Sequence, residues 1–161
     1  MMRYIGLDLG NRTCGLAISD PLGMIATSLY TIRFFEKDLN CALTEVVKVI
    51  NEKKVEKIVM GYPLNMNGTL GPQSEYVLEF KKMLEEETKL EVILFDERLT
   101  TVEVQKVMIS ADVSRNKRKK VVDTLAATLI LQSYLPTHPA ESRLISAAVA
   151  TLLRSERYFL T

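Results

Sequence analysis

One histidine, His138, and two cysteines, Cys14 and Cys41, are all that the 161-residue chain offers of the side chains most used for zinc binding and nucleophilic catalysis. Neither cysteine belongs to a Cys-x-x-Cys pair, so a structural zinc site and a disulfide framework both lack their signature. A Ser-His-Asp or Cys-His arrangement would have to recruit His138, which is held between Thr137 and Pro139. No apolar run approaches the ~20 residues of a membrane-spanning helix. The opening MMRYIGLDLG meets an acid at Asp8 and lacks the apolar core of a signal peptide, so a soluble, cytoplasmic protein with no membrane partner is expected. An excess of one charge is also missing. With 21 basic and 20 acidic residues the net charge is +1, which excludes a bulk polycation and leaves room for a local basic patch. Chemistry in such a chain falls to carboxylates and an oxygen-loving metal ion.

What the chain does have is an ordinary globular composition, 47% hydrophobic and 25% charged, in a length suited to one domain. Arg3 to Leu9, Thr13 to Ser19 and Met24 to Arg33 read as three strands joined by short turns, Asp20-Pro21-Leu22-Gly23 being the clearest of them. From Asp38 to Lys53 the apolar residues Leu39, Leu43, Val46, Val47 and Ile50 recur at helical spacing, with Asp38 as N-cap. Val55 to Gly61 predicts a buried strand and Tyr62 to Gly71 a loop. Pro72 opens a helix that carries Tyr76, Val77, Phe80, Met83 and Leu84 on one face. Glu91 to Phe95 predicts a fifth strand. Thr100 or Thr101 would cap a helix reaching about Ile109, Ser110 to Lys120 reads as a polar loop, and Val121 to Leu135 as the next helix. The order βββαβαβαα predicts an α/β fold. Its mixed five-stranded sheet would combine an antiparallel meander with two parallel strands, under right-handed crossovers and with helices on both faces.

Acids stand out at three places. Asp8 sits inside an apolar strand, where a carboxylate is costly unless paired, hydrogen-bonded or bound to metal. The alternative is a strand-end acid satisfied by the amides of the next turn. Asp96 and Glu97 follow a short strand at its C-terminal end, the edge where open α/β sheets bind ligands. Neighbouring residues alternate in direction, so one of the two is expected to face a site, and turn or ion-pair roles compete for both. Asp123 lies among Val122, Leu125, Ala126, Leu129 and Ile130, and its competing role is a first-turn acid favoured by the helix dipole. Three isolated carboxylates from separate elements would repel one another at a single point unless cations neutralise them. Mg²⁺ or Mn²⁺ prefers oxygen ligands, and two such ions about 4 Å apart cleave phosphodiesters without a catalytic histidine.

Five of the six residues from 115 to 120 are cationic: Arg115, Lys117, Arg118, Lys119 and Lys120. Such runs are usually solvated loops. This one immediately precedes Asp123, where cations suit a polyanionic substrate. The loop GYPLNMNGTLGPQS has the Asn and Gly content to present amides to a ligand, and equally that of a tight strand-to-helix turn.

Four segments together resemble the YqgF, or RuvX-like, family of pre-16S rRNA nucleases, also described as Holliday junction resolvases. They are YIGLDLGNRTCGLAISD at 4–20, MGYPLNMNGTLGPQSEYVLEF at 60–80, LFDERLTTVEVQ at 94–105 and KKVVDTLAATLILQSYL at 119–135. The resemblance implies a ribonuclease H-like fold, divalent-metal phosphodiester hydrolysis and 5′-end maturation of 16S rRNA during ribosome biogenesis. It places the family's acids on Asp8, Glu97 and Asp123, as catalytic residues and as ligands of Mg²⁺ or Mn²⁺. Arg12, Arg98, Arg115, Lys117, Arg118, Lys119 and Lys120 are the expected nucleic-acid contacts, toward structured RNA or branched DNA. Two departures stand in the motifs. Asn11-Arg12-Thr13 replaces a frequent Lys-Arg pair, and Gly61-Tyr62-Pro63 replaces Gly-Leu-Pro. The alternative functions are a non-catalytic nucleic-acid-binding accessory factor and a resolvase of branched DNA. The two-domain ATPases suggested by DLGNRTCG need a second domain that this chain has no length for.

Residues 1–135 are expected to form the nuclease domain and 136–161 a helical extension beyond the family core. Leu144, Ile145, Ala148, Leu152 and Leu153 recur near helical spacing, which predicts a helix from Ser142 to about Arg154. That stripe needs an apolar cover, either its own domain or a second copy of the chain. A core already complete at Leu135 favours the second copy, a homodimer.

Overall fold

The computed structural model describes residues 2–65, 67–97 and 106–135, with only the backbone for 121–124. Five strands form one sheet in the order β3-β2-β1-β4-β5. They are β1 (Tyr4–Leu9), β2 (Thr13–Ser19), β3 (Ala26–Arg33), β4 (Lys57–Tyr62) and β5 (Val92–Asp96). β1 to β3 form the antiparallel meander, while β4 pairs parallel to β1 and β5 parallel to β4. The helices are α1 (Leu39–Lys53), α2 (Pro72–Thr88) and α3 (Arg115–Tyr134), and residues 106–110 are also helical. This is the ribonuclease H-like topology that the resemblance implies. No described helix is long and apolar enough to cross a membrane.

Strand alternation divides the sheet into two unlike faces. Ile5, Leu7, Leu9, Cys14, Leu16, Ile58, Met60 and Val92 point to one of them. There they pack with Ala42, Val46 and Ile50 of α1 and Val77, Phe80 and Leu84 of α2 in one apolar cluster. The other face meets α3 and is built of small residues. Ala17, Ala26 and Val59 pack against Ala127, Ile130, Leu131 and Leu135. A Cβ on Gly6 would fall 2.7 Å from Leu131 Cβ and 2.8 Å from the Ala127 carbonyl oxygen, so only glycine lets α3 lie this close to β1.

The expected helix starts are seen at α1 and α2. Asp38 Oδ1 accepts the Cys41 amide at 3.2 Å, and Pro72 occupies the first turn of α2. β3 begins two residues later than its sequence predicts. Asp20 Oδ1 accepts the amides of Met24 and Ile25 at 2.8 Å each, which keeps both residues in the turn. Gln132 of α3 then reaches back to β3. Its Oε1 accepts from Ala26 N at 2.9 Å and its Nε2 donates to the Met24 carbonyl at 3.1 Å.

The polar loop expected over 110–120 is corrected. α3 starts at Arg115, capped by the Ser114 side chain, which accepts from Lys117 N at 3.4 Å. The basic run is therefore the first turn and a half of a helix. Arg and Lys are good helix formers, and a capped start needs no apolar periodicity. Of the helix expected from Thr100 or Thr101, residues 106–110 are helical and Met108 is buried, while 98–105 lie outside the described residues. The 136–139 connection, His138 and the helix expected over 142–154 lie outside them too.

Candidate active site

Asp8 and Glu97 meet across a strand that separates them. Asp8 lies near the C-terminal end of β1, one residue past the Leu7–Met60 pair, so it stands level with Gly61 of β4. Gly61 in turn pairs with Phe95 of β5, and Glu97 follows two residues later. β1 and β5 flank β4, which sets them roughly 9–10 Å apart at the usual strand spacing. The Glu97 side chain closes that distance by lying over Gly61. A Cβ on Gly61 would collide with Glu97 Oε1, and would fall 2.9 Å from Glu97 Cγ and 2.7 Å from Ile130 Cδ1. The bare glycine is the passage through which the two carboxylates reach each other.

Their electrostatics follow from the contact. Burial pushes the Glu97 carboxyl up from 4.5 to about 7, helped by the Asp8 charge, a side-chain hydrogen bond with Asp8 and the nearby Asp96. Two carboxylates in contact at a half-buried site share a proton more readily than they both ionise. The thiol beneath them is inert: burial, with the Asp8 charge adding to it, pushes Cys14 well above its ordinary range. Asp96, on the opposite alternation, completes the last strand pair with Tyr62.

α3 supplies the third side of the site. It runs against β1 so that Leu131 and Ala127 cover Gly6, and Ala127 Cβ lies 3.7 Å from where a Gly15 Cβ would stand, with Asp8 Cβ 3.8 Å from the same point. Position 123 is one turn before Ala127 on the same helix stripe, toward the Asp8 end. The described structure of residue 123 is its backbone alone. Among the described residues no group of three or more His, Cys, Asp and Glu is placed to hold a metal ion.

The remaining expected contacts divide by location. Arg115, Lys117, Lys119 and Lys120 are exposed on α3 and Arg118 is half-buried, its Nη1 donating to the Val113 carbonyl at 3.3 Å. At 1.5 Å per residue these positions stand about 10–18 Å along the helix from Ala127, beyond the Asp8 end of the sheet. Arg12 is in the β1–β2 turn, exposed and 3.6 Å from Glu36. Arg98 lies outside the described residues.

Sequence reading missed two supports of the site. Gly61 has a signal, a glycine closing an apolar strand, which marks a bulge or a close approach. The second is Tyr76, whose hydroxyl donates to the Gly10 carbonyl at 3.2 Å and ties α2 to the turn after Asp8. Its aromatic ring reads only as core. Pro63 and Gly71 are fastened likewise: Ser74 Oγ accepts from Gly71 N at 3.2 Å and donates to the Pro63 carbonyl.

Residues 2–137 match the profile of the RuvX family, described as Holliday junction resolvase. A curated relative from Clostridium tetani (strain Massachusetts / E88), provisionally named pre-16S rRNA nuclease, is 55% identical over 134 residues, which are 83% of this chain and 96% of the relative. One of the same name from Clostridium botulinum (strain Hall) is 54% identical over equal shares. Among solved structures, Thermus thermophilus RuvC in complex with Holliday junction substrate aligns at a TM-score of 0.49 and 13% identity, covering 91% of this chain and 89% of that one.

Proposed function

This chain belongs to the RuvX family, and on that premise we propose that it is a divalent-metal-dependent nuclease that hydrolyses phosphodiester bonds in the 5′-end processing of pre-16S rRNA. The observation that carries the reading is the Asp8–Glu97 contact. Evolving two acids into hydrogen-bonded contact at a half-buried strand end costs stability, and a cation that both would ligate offsets that cost. The donor set is all oxygen, which fits Mg²⁺ or Mn²⁺. Asp8 and Glu97 hold the metal together with Asp123, whose place on the stripe before Ala127 supports the assignment. When bound, such ions activate a water and stabilise the leaving oxygen.

The chain's own residues do the rest. Gly61 leaves Glu97 its path to Asp8, and Ala127 and Ile130 pack α3 onto the sheet beside the pair. The first turn of α3 contains no acid, and its cations oppose the positive end of the helix dipole. That arrangement disfavours the free helix by about 0.3–1 kcal/mol per charge and suits a phosphate backbone placed there. Arg12, Arg98, Arg115, Lys117, Arg118, Lys119 and Lys120 contact the nucleic acid in this reading, residues 1–135 form the nuclease domain, and the protein works in the cytoplasm. The tail 136–161 joins two copies through its apolar stripe, which light scattering on the chain with and without 137–161 checks.

The test is purified chain with Mg²⁺ or Mn²⁺ against precursor 16S rRNA and four-way DNA junctions, beside Asp8→Asn. Metal-dependent shortening of the rRNA 5′ end, absent in Asp8→Asn, is the expected result. Cleavage of junctions alone would transfer the activity to branched DNA. Binding to RNA without cleavage under any divalent ion would leave an accessory factor.

A further inference from the structure

Phe35 is the most exposed large hydrophobic residue described, at 87% of its full accessibility, while its neighbour Phe34 packs against the larger core. The segment that presents it is fastened to the turn after Asp8. Phe34 N donates to the Arg12 carbonyl at 2.9 Å and Lys37 N to the Asn11 carbonyl at 2.7 Å. The Phe35 carbonyl itself accepts from Asp38 N at 2.9 Å. Lys37 holds a left-handed φ of 56°, and Arg33 ends β3 opposite Thr13. Asn11 is three residues beyond Asp8, at most about 10 Å of chain. An aromatic ring is thus held out in water by a segment whose backbone is hydrogen-bonded to the turn after Asp8, at the same end of the sheet as the carboxylates. Exposed cations Arg12, Arg33 and Lys37 surround it, with Glu36 and Asp38 as the acids. Glu36 stands 3.6 Å from Arg12, and Asp38 Oδ1 is engaged by Cys41 N.

An isolated exposed phenylalanine is common on protein surfaces. A fastened one in a segment with exposed cations, at the sheet end that carries the proposed phosphodiester site, has the make-up of a platform for unpaired nucleotides, whose bases stack on aromatic rings while cations follow the backbone. A paired base offers it nothing, because its faces are already covered within the helix.

We propose that Phe35 is a stacking platform for an unpaired nucleotide of the RNA strand bound at the Asp8–Glu97 site, so that the protein selects single-stranded flanks over continuous duplex. The proposal rests on the nuclease reading for its substrate, and binding measurements separate the two. The full chain carrying Asp8→Asn is titrated onto a labelled single-stranded oligoribonucleotide and onto a blunt RNA duplex of the same length, with Phe35→Ala and Phe35→Trp added in turn. Phe35→Ala is expected to weaken single-strand binding roughly 5- to 150-fold, the range for removing the stacking of one base, and to leave duplex binding within about twofold. Phe35→Trp is expected to restore it. Equal weakening on both RNAs, unchanged single-strand affinity in Phe35→Ala, or no binding of single strands at all would overturn the platform. The expected pattern in a wild type that cleaves no RNA would keep the platform and end the nuclease reading. Cleavage that persists with a neutral Phe35→Ala would do the reverse.

Discussion

The two faces of the sheet are made by the same strands and follow opposite rules. Toward α1 and α2 the strands present Ile5, Leu7, Leu16, Ile58 and Met60, all 2% exposed or less, and the packing there is that of an ordinary core. Toward α3 they present Gly6, Gly15, Ala17 and Gly61, and then, at the strand ends, Asp8 and Glu97. The small residues bring the helix backbone close, and that closeness leaves the acids half-buried. One face therefore supplies the stability that the other spends in holding two carboxylates together. A period of two along each strand keeps these tasks apart, since a residue can serve one face without touching the other.

The sharpest way to break this division is to change each face and ask which property fails. Asp8→Asn is expected to lower metal-dependent cleavage by about three orders of magnitude, several kcal/mol of transition-state stabilisation, with no loss of folding stability. Single-turnover assays and denaturant melts of the same samples read the two effects. Phe80→Ala, on the other face, should cost about 3–5 kcal/mol of stability by urea unfolding, and at temperatures where it stays folded its cleavage should match the wild type. If Phe80→Ala selectively abolished cleavage in folded protein, the division would be false.

Gly61→Ala probes the seam between the tasks. The added methyl meets Glu97 and Ile130, so Glu97 is displaced from Asp8. Cleavage is expected to fall about 10- to 100-fold, as for misplacement by about 1 Å, with a higher metal concentration needed for half-maximal rate. Unaltered metal dependence would show that Glu97 does not need its path over Gly61.

The pH response is smaller. Glu97 has a raised folded value, about 7 against 4.5, so between those limits the native state holds more protons than the unfolded one. Without metal, stability should decline by a few degrees of melting temperature as pH rises from about 4.5 to 7, then level off. Glu97→Gln should remove that decline, and a divalent ion should reverse it. A metal-free melting temperature that climbs over this window would contradict the shared-proton contact.

The smallest effect belongs to the basic turns of α3. Replacing Lys117, Arg118, Lys119 and Lys120 by Gln should flatten the log–log salt dependence of RNA affinity by roughly 0.7–0.9 for each phosphate no longer neutralised. It should also stabilise the fold slightly, by a few tenths of a kcal/mol per charge, because the cations oppose the helix dipole. A solvated loop would show neither change.

Much of the architecture is legible in the sequence because burial writes itself as period two or period 3.6. The strands, α1 with Asp38 at its cap and α2 behind Pro72 all announce themselves in this way. The start of α3 does not, since Arg115 to Lys120 contains no apolar residue and the one cue is Ser114. Asp8 is conspicuous as a lone acid in an apolar strand. Its meeting with Glu97 is illegible for a different reason: it depends on β4 lying between β1 and β5 and on Gly61 standing at the crossing, and strand order is a property of the folded sheet. Arg98, His138 and the expected 142–154 helix lie outside the described residues.

α3 is twenty residues long, about 30 Å of stiff rod. Its C-terminal half is clamped at Ala127, Leu131 and Gln132, and its basic end stands some 18 Å away. A rod held at one end magnifies any tilt at the clamp: 5° at Ala127 moves Arg115 by about 1.6 Å over that length. A methyl added in the interior would thus re-aim the cations proposed to meet the phosphates. In the proposed nuclease, substrate preference would therefore be adjustable from within, by residues packed under the helix rather than exposed on its basic turns.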